Sequence, residues 1–205
     1  MEKNRQLFSV YKTEADKNTI IINNVVLMLS NRIYIDANKD KHQLLNYEST
    51  IKKIIDKGDN AYTVKADNGD IYAIKIIYQK VMSTGKQSVV SGFIEEYSDN
   101  KKIIIANDFN NKTIDFVTKN GSQIFKEGFM LRDIVSHNDQ PMFELLSPNE
   151  MEEVKKEYNI TPQTAPKMMR SDPIVKYYGL KKGDFVRVIE PSPTSGLIVT
   201  YEVIS

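Results

Sequence analysis

The last third of the chain constrains the fold more than any other stretch. Residues 171–201 read SDPIVKYYGLKKGDFVRVIEPSPTSGLIVTY, and successive local signals agree there. Asp172 can cap a helix whose first position is Pro173, because the proline ring fixes a helical φ and needs no hydrogen-bond partner for an N–H. Gly179 can end that helix in the left-handed conformation. Gly183-Asp184 marks a turn, and Phe185–Glu190 has the β-branched, alternating character of a strand. Pro191, Pro193 and Gly196 are expected to break that strand, and Leu197–Ile204 to resume it. A short helix followed by a β-hairpin is the predicted result.

Upstream of this unit, Ser147-Pro148-Asn149-Glu150 combines a capping serine, a proline at the first helical position and a glutamate three residues after the cap. The helix it opens is expected to reach Tyr158 and to bury Met151, Val154 and Tyr158. Thr161-Pro162 starts a further turn. With the hairpin, this makes residues 136–205 a small α+β unit, and the boundary falls near Arg132–His137.

The front of the chain alternates helices with strands and reads as α/β. An apolar stripe of Ile21, Ile22, Val25, Val26, Leu29 and Ile33 predicts a helix from Asn18 to Arg32. Leu44, Glu48, Ile51, Ile54 and Ile55 predict a second from Lys41 to Lys57, with Gly58 just past its end. Ala61–Ala66 and Asp70–Ile77 flank Asp67-Asn68-Gly69, a strong hairpin signal because Asn and Gly tolerate positive φ. Gln87–Tyr97 reads as a third helix, with Val89, Val90, Phe93 and Tyr97 on one side. Lys102–Ala106 reads as a short apolar strand, Asn107–Lys112 as a polar loop, and the stretch around Ile114 and Val117 as a fourth helix ending at Gly121. Residues 123–135 read as one or two short strands.

Composition closes off several kinds of chemistry. There is no cysteine, so disulfides and thiolate metal sites are excluded. The only histidines are His42 and His137, and neither lies in a metal-binding pattern. No apolar run approaches a membrane span, and no signal-peptide pattern opens the sequence. Residues 1–136 hold 20 basic and 17 acidic side chains, and residues 137–205 hold 8 and 10, too weak an asymmetry to draw the chain to nucleic acid by itself. Ser192 and Ser195 lack the strand–serine–helix setting of a nucleophile. Asp70 and Lys75 are five residues apart on one strand and therefore point to opposite faces. Glu153 and Lys155 lie on the helix after Ser147. Neither pair suggests carboxylates converging on two metals.

The motifs SDP, YYG, GD and PSPTSG, in this order, resemble the assembly domain of the fifth subunit of eukaryotic nuclear RNA polymerases, a family with a single-domain relative in archaeal RNA polymerase. The likeness continues upstream through His137, Pro141 and Leu146-Ser147 to Gln163 and Pro166-Lys167. Ser30-Asn31-Arg32-Ile33-Tyr34 is similar to the Asp-Arg-Gly-Tyr that ends the family's first helix. The resemblance implies an N-terminal α/β jaw domain, residues 1–135, nuclease-like in fold but non-catalytic. It implies an assembly domain, residues 136–205, that docks on the largest polymerase subunit. On matching positions, the partner-binding residues would be Pro166, Asp172, Pro173, Tyr177, Gly179, Gly183, Glu190, Pro191, Ser192, Thr194, Gly196, Tyr201 and Glu202. The loop after the Lys102–Ala106 strand would face downstream duplex DNA, making Asn107, Asn110, Asn111 and Lys112 DNA-proximal. Lys112 is the one base in that loop and Asp108 offsets it, so the implied grip is weak and non-specific.

The same resemblance implies no catalytic residue, metal, cofactor or membrane contact. It implies a single copy within a hetero-oligomer of polymerase subunits. The sequence also departs from cellular members of the family. Glu190 and Glu202 stand where arginine is usual, Thr194-Ser195-Gly196 replaces Thr-Ala-Gly, Met142-Phe143 replaces Lys-His, and Ala165 replaces leucine. Such divergence resembles the polymerases of large cytoplasmic DNA viruses of the asfarvirus type, implying the host cytoplasm, within viral factories, and the virion. Other readings are a nuclease-like enzyme with a docking domain and a free-standing adaptor. The two glutamates imply a basic residue on the largest subunit, unless both are simply solvated.

Overall fold

A computed structural model describes residues 12–132, 141–161, 163–192, 194 and 196–205. The first helix, α1 (Glu14–Ser30), begins earlier than its apolar stripe suggests. Thr13 Oγ1 accepts the Asp16 N–H at 3.2 Å, and Asp16 returns the bond to the Thr13 N–H at 3.1 Å, so two otherwise unpaired amides are answered. Its stripe buries Ile21, Ile22, Val25, Val26 and Leu29 as expected. Ile33, which falls in the same stripe by spacing, lies instead in β1 (Ile33–Ile35), which pairs antiparallel with β2 (Lys41–Gln43).

The predicted helix over Lys41–Lys57 is corrected. After β2 only one short helix forms, α2 (Tyr47–Ile51), capped by Asn46, and β3 (Ile55–Gly58) follows. Ile55 pairs with Thr63 of β4 (Ala61–Lys65), so a β-branched residue takes the extended state its partner strand offers. The helical spacing of Leu44, Glu48, Ile51 and Ile55 is coincidental. Gly58 does have positive φ, together with Asp59 and Asn60, but in the turn between two strands.

The Asp67-Asn68-Gly69 hairpin forms as expected between β4 and β5 (Ile71–Val81), with Lys65 opposite Ile71 and Gly69 at φ +91°. Next come α3 (Val89–Glu96), β6 (Lys101–Phe109), α4 (Asn111–Lys119), β7 (Ser122–Lys126) and α5 (Glu127–Met130). Part of the stretch expected as strand is thus the short helix α5, and Val89, expected on the inner side of its helix, is exposed. Residues 133–140, with His137 and the predicted boundary, lie outside the described residues.

These strands form a five-stranded sheet of order β3-β4-β5-β6-β7, antiparallel to β5 and parallel beyond it. Period-two alternation sorts β6 into both layers. Ile103 and Ile105 pack towards α1, while Ile104 and Ala106 pack towards Val90, Phe93 and Val117 of α3 and α4. A strand buried on both faces needs the unbroken apolar run that β6 carries.

The rear holds a second sheet built on β8 (Met142–Leu145), α6 (Pro148–Tyr158), β9 (Lys167–Met168), α7 (Pro173–Tyr178), β10 (Phe185–Ser192) and β11 (Gly196–Ile204). Its order is β8-β10-β11-β9. Val154 of α6 packs with Phe185 and Val203 on one face, and Val175 of α7 packs with Val186, Val188 and Ile204 on the other. Met151 is partly buried, whereas Tyr158, expected inside, is 52% exposed beside Tyr201. The molecule is a mixed α/β protein in which the described residues form three sheets: these two and the small β1-β2 pair.

Pro191 does not break its strand. It stays paired with Leu197, and Ser192 with Gly196. Proline is tolerated there because β8 pairs with β10 only as far as Ile189, so the outer edge at Pro191 is open. Pro193, Ser195 and Pro162 lie outside the described residues.

Candidate partner and nucleic-acid interface

The residues expected to face a partner divide into two groups. Asp172, Pro173, Tyr177, Gly179 and Gly183 build α7 and the turn after it. Asp172 Oδ1 accepts the Ile174 N–H at 2.8 Å, Pro173 occupies the first turn, and Gly179 ends the helix at φ +67°. Gly183, at φ +92°, donates its N–H to the Ile204 carbonyl at 2.9 Å. Tyr177 is 5% exposed, and its hydroxyl accepts from Asn31 Nδ2 at 3.0 Å. Pro166 is exposed, and its carbonyl accepts the Val203 N–H at 2.9 Å, tying β9 to β11.

The second group is gathered on the outer half of the hairpin. Glu190, Pro191, Thr194 and Gly196 are exposed there, with Ser192 half-buried and its Oγ 3.4 Å from Thr194 Oγ1. Beside them stand Leu197, Ile198 and Val199, all exposed. The sequence suggests an apolar ladder in this strand. The ladder is inside only from Tyr201 onward, because β8 and α6 cover the inner half of the hairpin and the outer half projects past them. The exposure of these three side chains is what sequence reasoning misses.

Register explains the acidic pair. Glu190 lies opposite Ile198 and Glu202 opposite Val186, so both carboxylates share the sheet face that holds Val186 and Val188. Burial pushes the Glu202 carboxyl pKa up, and the negative charges of Glu190 and Asp172 add to the rise. The Tyr201 ring lies tilted at 41° to that of Tyr158, 5.4 Å between centroids, and Arg187 lies 5.8 Å over the Tyr201 ring.

The DNA-proximal candidates do not form a loop. β6 runs on through Asn107, Asp108 and Phe109, and Asn110 is the cap of α4. Its Oδ1 accepts the Thr113 N–H at 2.9 Å, and its Nδ2 donates to the Met82 carbonyl at 3.2 Å, so this side chain serves the fold. The polar run reads as a loop because its three asparagines carry turn character; in the fold they finish one strand and start one helix. Asn107, Asn111 and Lys112 are exposed at this end. Parallel pairing brings two further bases to the same edge: Lys80 and Lys126 lie 3.0 and 2.9 Å from the Asp108 carboxylate. Hydrogen bonds from Lys126 and Lys80 hold that carboxyl well below the usual carboxylate range. Aligning the ends of the parallel strands is the sequence signal that could have found both lysines.

The enzyme candidates are separated. Lys75 is buried with its Nζ 2.6 Å from Asp59 Oδ2, whereas Asp70 closes the hairpin turn, where its carboxylate accepts from Asn68 Nδ2. Glu153 is exposed on α6. Among the described residues no three acidic or histidine side chains are grouped to hold a metal ion. His42 pairs with Asp36 at 3.1 Å on an exposed strand.

The two halves meet at Arg32. Its Nε donates to the Tyr177 carbonyl at 2.8 Å, and its Nη2 donates to the Lys176 carbonyl at 3.0 Å and to Gln123 Oε1 at 2.9 Å. Beside it, Lys41 Nζ of β2 reaches Glu144 at 2.9 Å and Glu150 at 2.8 Å in the rear sheet and its helix. The Asn31-Arg32 likeness at the end of the first helix therefore marks a structural joint.

The family model of the RNA polymerase Rpb5 C-terminal domain matches residues 132–204. Across the whole of both chains, the sequence is 48% identical to DNA-directed RNA polymerase subunit 5 of Acanthamoeba polyphaga mimivirus. It is 39% identical over 71 residues to subunit Rpo5 of Methanocaldococcus jannaschii, which covers 35% of this chain and 91% of that one. It is 27% identical over 153 residues to the subunit rpabc1 shared by polymerases I, II and III of Dictyostelium discoideum, covering 75% of this chain and 63% of that one.

Proposed function

The chain belongs to the family of the fifth subunit of DNA-directed RNA polymerases, and we propose that it is a non-catalytic subunit of a viral multisubunit RNA polymerase. The observation that carries this is the 48% identity to a viral polymerase subunit over the full length of both chains. A shared rear domain alone would fit a docking module attached to some other activity. Identity across the front half as well speaks for the same job.

In this reading residues 136–205 are the assembly domain and residues 1–135 the jaw domain. Support for the division comes from two large sheets with their own flanking helices and, apart from Tyr177 of α7 in the front cluster, their own apolar clusters. The assembly domain docks on the largest subunit through the outer half of its hairpin. Leu197, Ile198 and Val199 supply an apolar centre there, and Glu190 and Thr194 a polar rim, the usual anatomy of a protein interface.

The jaw domain turns the C-terminal ends of β5, β6 and β7 towards downstream duplex DNA. Lys80, Lys112 and Lys126, with Asn107 and Asn111, offer phosphate contacts without base readout. Each lysine that neutralises a phosphate adds a salt slope of about 0.9, so the grip is weak and non-specific. The subunit works by position, buttressing the cleft and steering the template. Its site of action is the host cytoplasm, as for a giant-virus polymerase, with no cofactor and no membrane contact.

Affinity purification through a tag on this chain, from cells making the viral polymerase, tests the reading. Two very large polymerase subunits should co-purify in stoichiometric amounts. A chain recovered alone, or one that nicks DNA when Mg²⁺ is added, would sink it.

A further inference from the structure

We propose that the open edge of β7 is a peptide-binding site that takes an extended acidic segment of a partner chain as an added strand. This goes beyond the polymerase reading and does not depend on it.

The two edges of the front sheet are built differently. At one edge, β3 carries Asp56 and Lys57 and a register irregularity between Asp56 and Gly58. Charges and a bulge on an edge strand hinder pairing with another chain. At the other edge, β7 keeps unbroken register with β6 from Ser122 opposite Lys102 to Lys126 opposite Ala106. It has no proline and no bulge, and among the described residues no strand pairs with its outer side. Alternate residues of a parallel strand turn their N–H and C=O groups to that side, so β7 presents a regular row of donors and acceptors.

Residues 122–125 of this strand form one wall of a groove of about 460 Å³ that α4 and α7 also line. The volume lies within the ~300–1,000 Å³ of ordinary ligand sites. Ile114 and Leu180 give the groove an apolar lining that can hold every second side chain of an added strand. Its charged residues are Lys119, Arg170 and Lys176 against Asp115 alone. The balance is basic, and it selects an acidic segment over a basic one. Geometry is fixed beforehand, because Arg32 grips Gln123 on β7 and the Lys176 carbonyl on α7 together. A groove held open from both walls loses little entropy on binding.

The test uses the free full-length chain and two short fluorescein-labelled peptides, one alternating valine with glutamate and one alternating valine with lysine. Anisotropy should show binding of the acidic peptide, and amide exchange of Gln123, Ile124 or Phe125 should slow when it binds. The combined change Lys119→Glu, Arg170→Glu and Lys176→Glu should weaken the acidic peptide by about tenfold or more and favour the basic one. If that variant fails to fold, Lys119→Glu on the exposed face of α4 should give a smaller shift of the same sign. Three results overturn the proposal: no binding of the acidic peptide, equal binding of both peptides, or binding that leaves residues 123–125 exchanging as before. None of them bears on whether the chain co-purifies with polymerase.

Discussion

Arg32 shows how one side chain can serve two sheets. It is 6% exposed, and burial pushes its guanidinium pKa down to about 10, so it stays cationic at neutral pH. Its donors answer the Tyr177 and Lys176 carbonyls in the last turn of α7, where helix geometry leaves carbonyls short of partners, and the side-chain amide of Gln123; the Lys176 carbonyl also accepts the Gly179 N–H at 3.2 Å. Arg32→Met takes these donors from the Tyr177 carbonyl and Gln123 Oε1 and leaves the Lys176 carbonyl with the Gly179 N–H alone, and should cost about 2–4 kcal/mol in denaturant unfolding of the full chain. Arg32→Lys should recover only part, since one ammonium does not reproduce a planar fork. Gly179 belongs to the same joint: an added Cβ would stand 3.2 Å from Arg32 Nε, at a φ of +67°. Unchanged stability of the methionine variant would show that the joint is idle. Glu202 offers a residue-scale test by pH. Its folded pKa is raised above 4.5, so the folded state holds the proton more firmly than the unfolded chain. Stability from this group is therefore greatest below pH 4.5 and is lost as pH rises through the raised value. Glu202→Gln should make the chain relatively more stable above that window than below it. A stability difference between variant and wild type that stays flat with pH would contradict the burial of Glu202 beside Glu190 and Asp172.

At the scale of elements, legibility follows local chemistry. The bounds of α6 and α7 can be read from sequence because Ser147, Pro148 and Glu150, and Asp172, Pro173 and Gly179, act within their own segments. The 41–57 region cannot, because Ile55 is in a strand only by virtue of Thr63 across from it, a contact no local pattern encodes. The hairpin is legible as an element, but its exposure is not. Apolar residues in alternation predict burial, and whether a neighbour reaches far enough to bury them is a property of the sheet. Two expected outcomes follow from where the elements end. Asn110→Ala should lower stability by about 1 kcal/mol, the usual effect of losing a helix cap. It should leave DNA binding by the assembled polymerase almost unchanged, whereas Lys80→Ala with Lys126→Ala should reduce the salt dependence of that binding. The reverse pattern would return Asn110 to the DNA-facing set. On the hairpin, Leu197→Ser with Val199→Ser should keep the thermal transition of the free chain within about 0.5 kcal/mol, since exposed residues contribute little. The same variant should pull down less of the cognate largest subunit, as should Glu190→Arg with Glu202→Arg if a base faces them. Wild-type recovery by both variants would remove the outer hairpin from the docking surface.

For the whole molecule, the question is how far the two sheets fold as one. Each has an apolar cluster of its own, yet α7 contributes to both. Val175 packs into the rear cluster with Val186 and Ile204, while Tyr177, two residues on, packs with α1 in the front. Asn31, Arg32 and Lys41 add polar contacts across the same seam. A fragment of residues 136–205 keeps its capped helices and its hairpin core around Phe185, Val186 and Val203, and should unfold cooperatively. A core of that size supports only about 3–5 kcal/mol, and exposing Tyr177 removes part of it, on the order of 1.5–3 kcal/mol. The fragment should therefore melt well below the full chain. In the full chain the seam should merge both halves into a single transition. Arg32→Met, by cutting the bonds to α7, should split that transition into two, the lower one matching the isolated fragment. Calorimetry of wild type, variant and fragment side by side decides the matter. A fragment without a cooperative transition would refute the division at 135/136. A variant that still melts in one step, together with a stable fragment, would mean that the halves are joined by the buried Tyr177 ring rather than by the arginine.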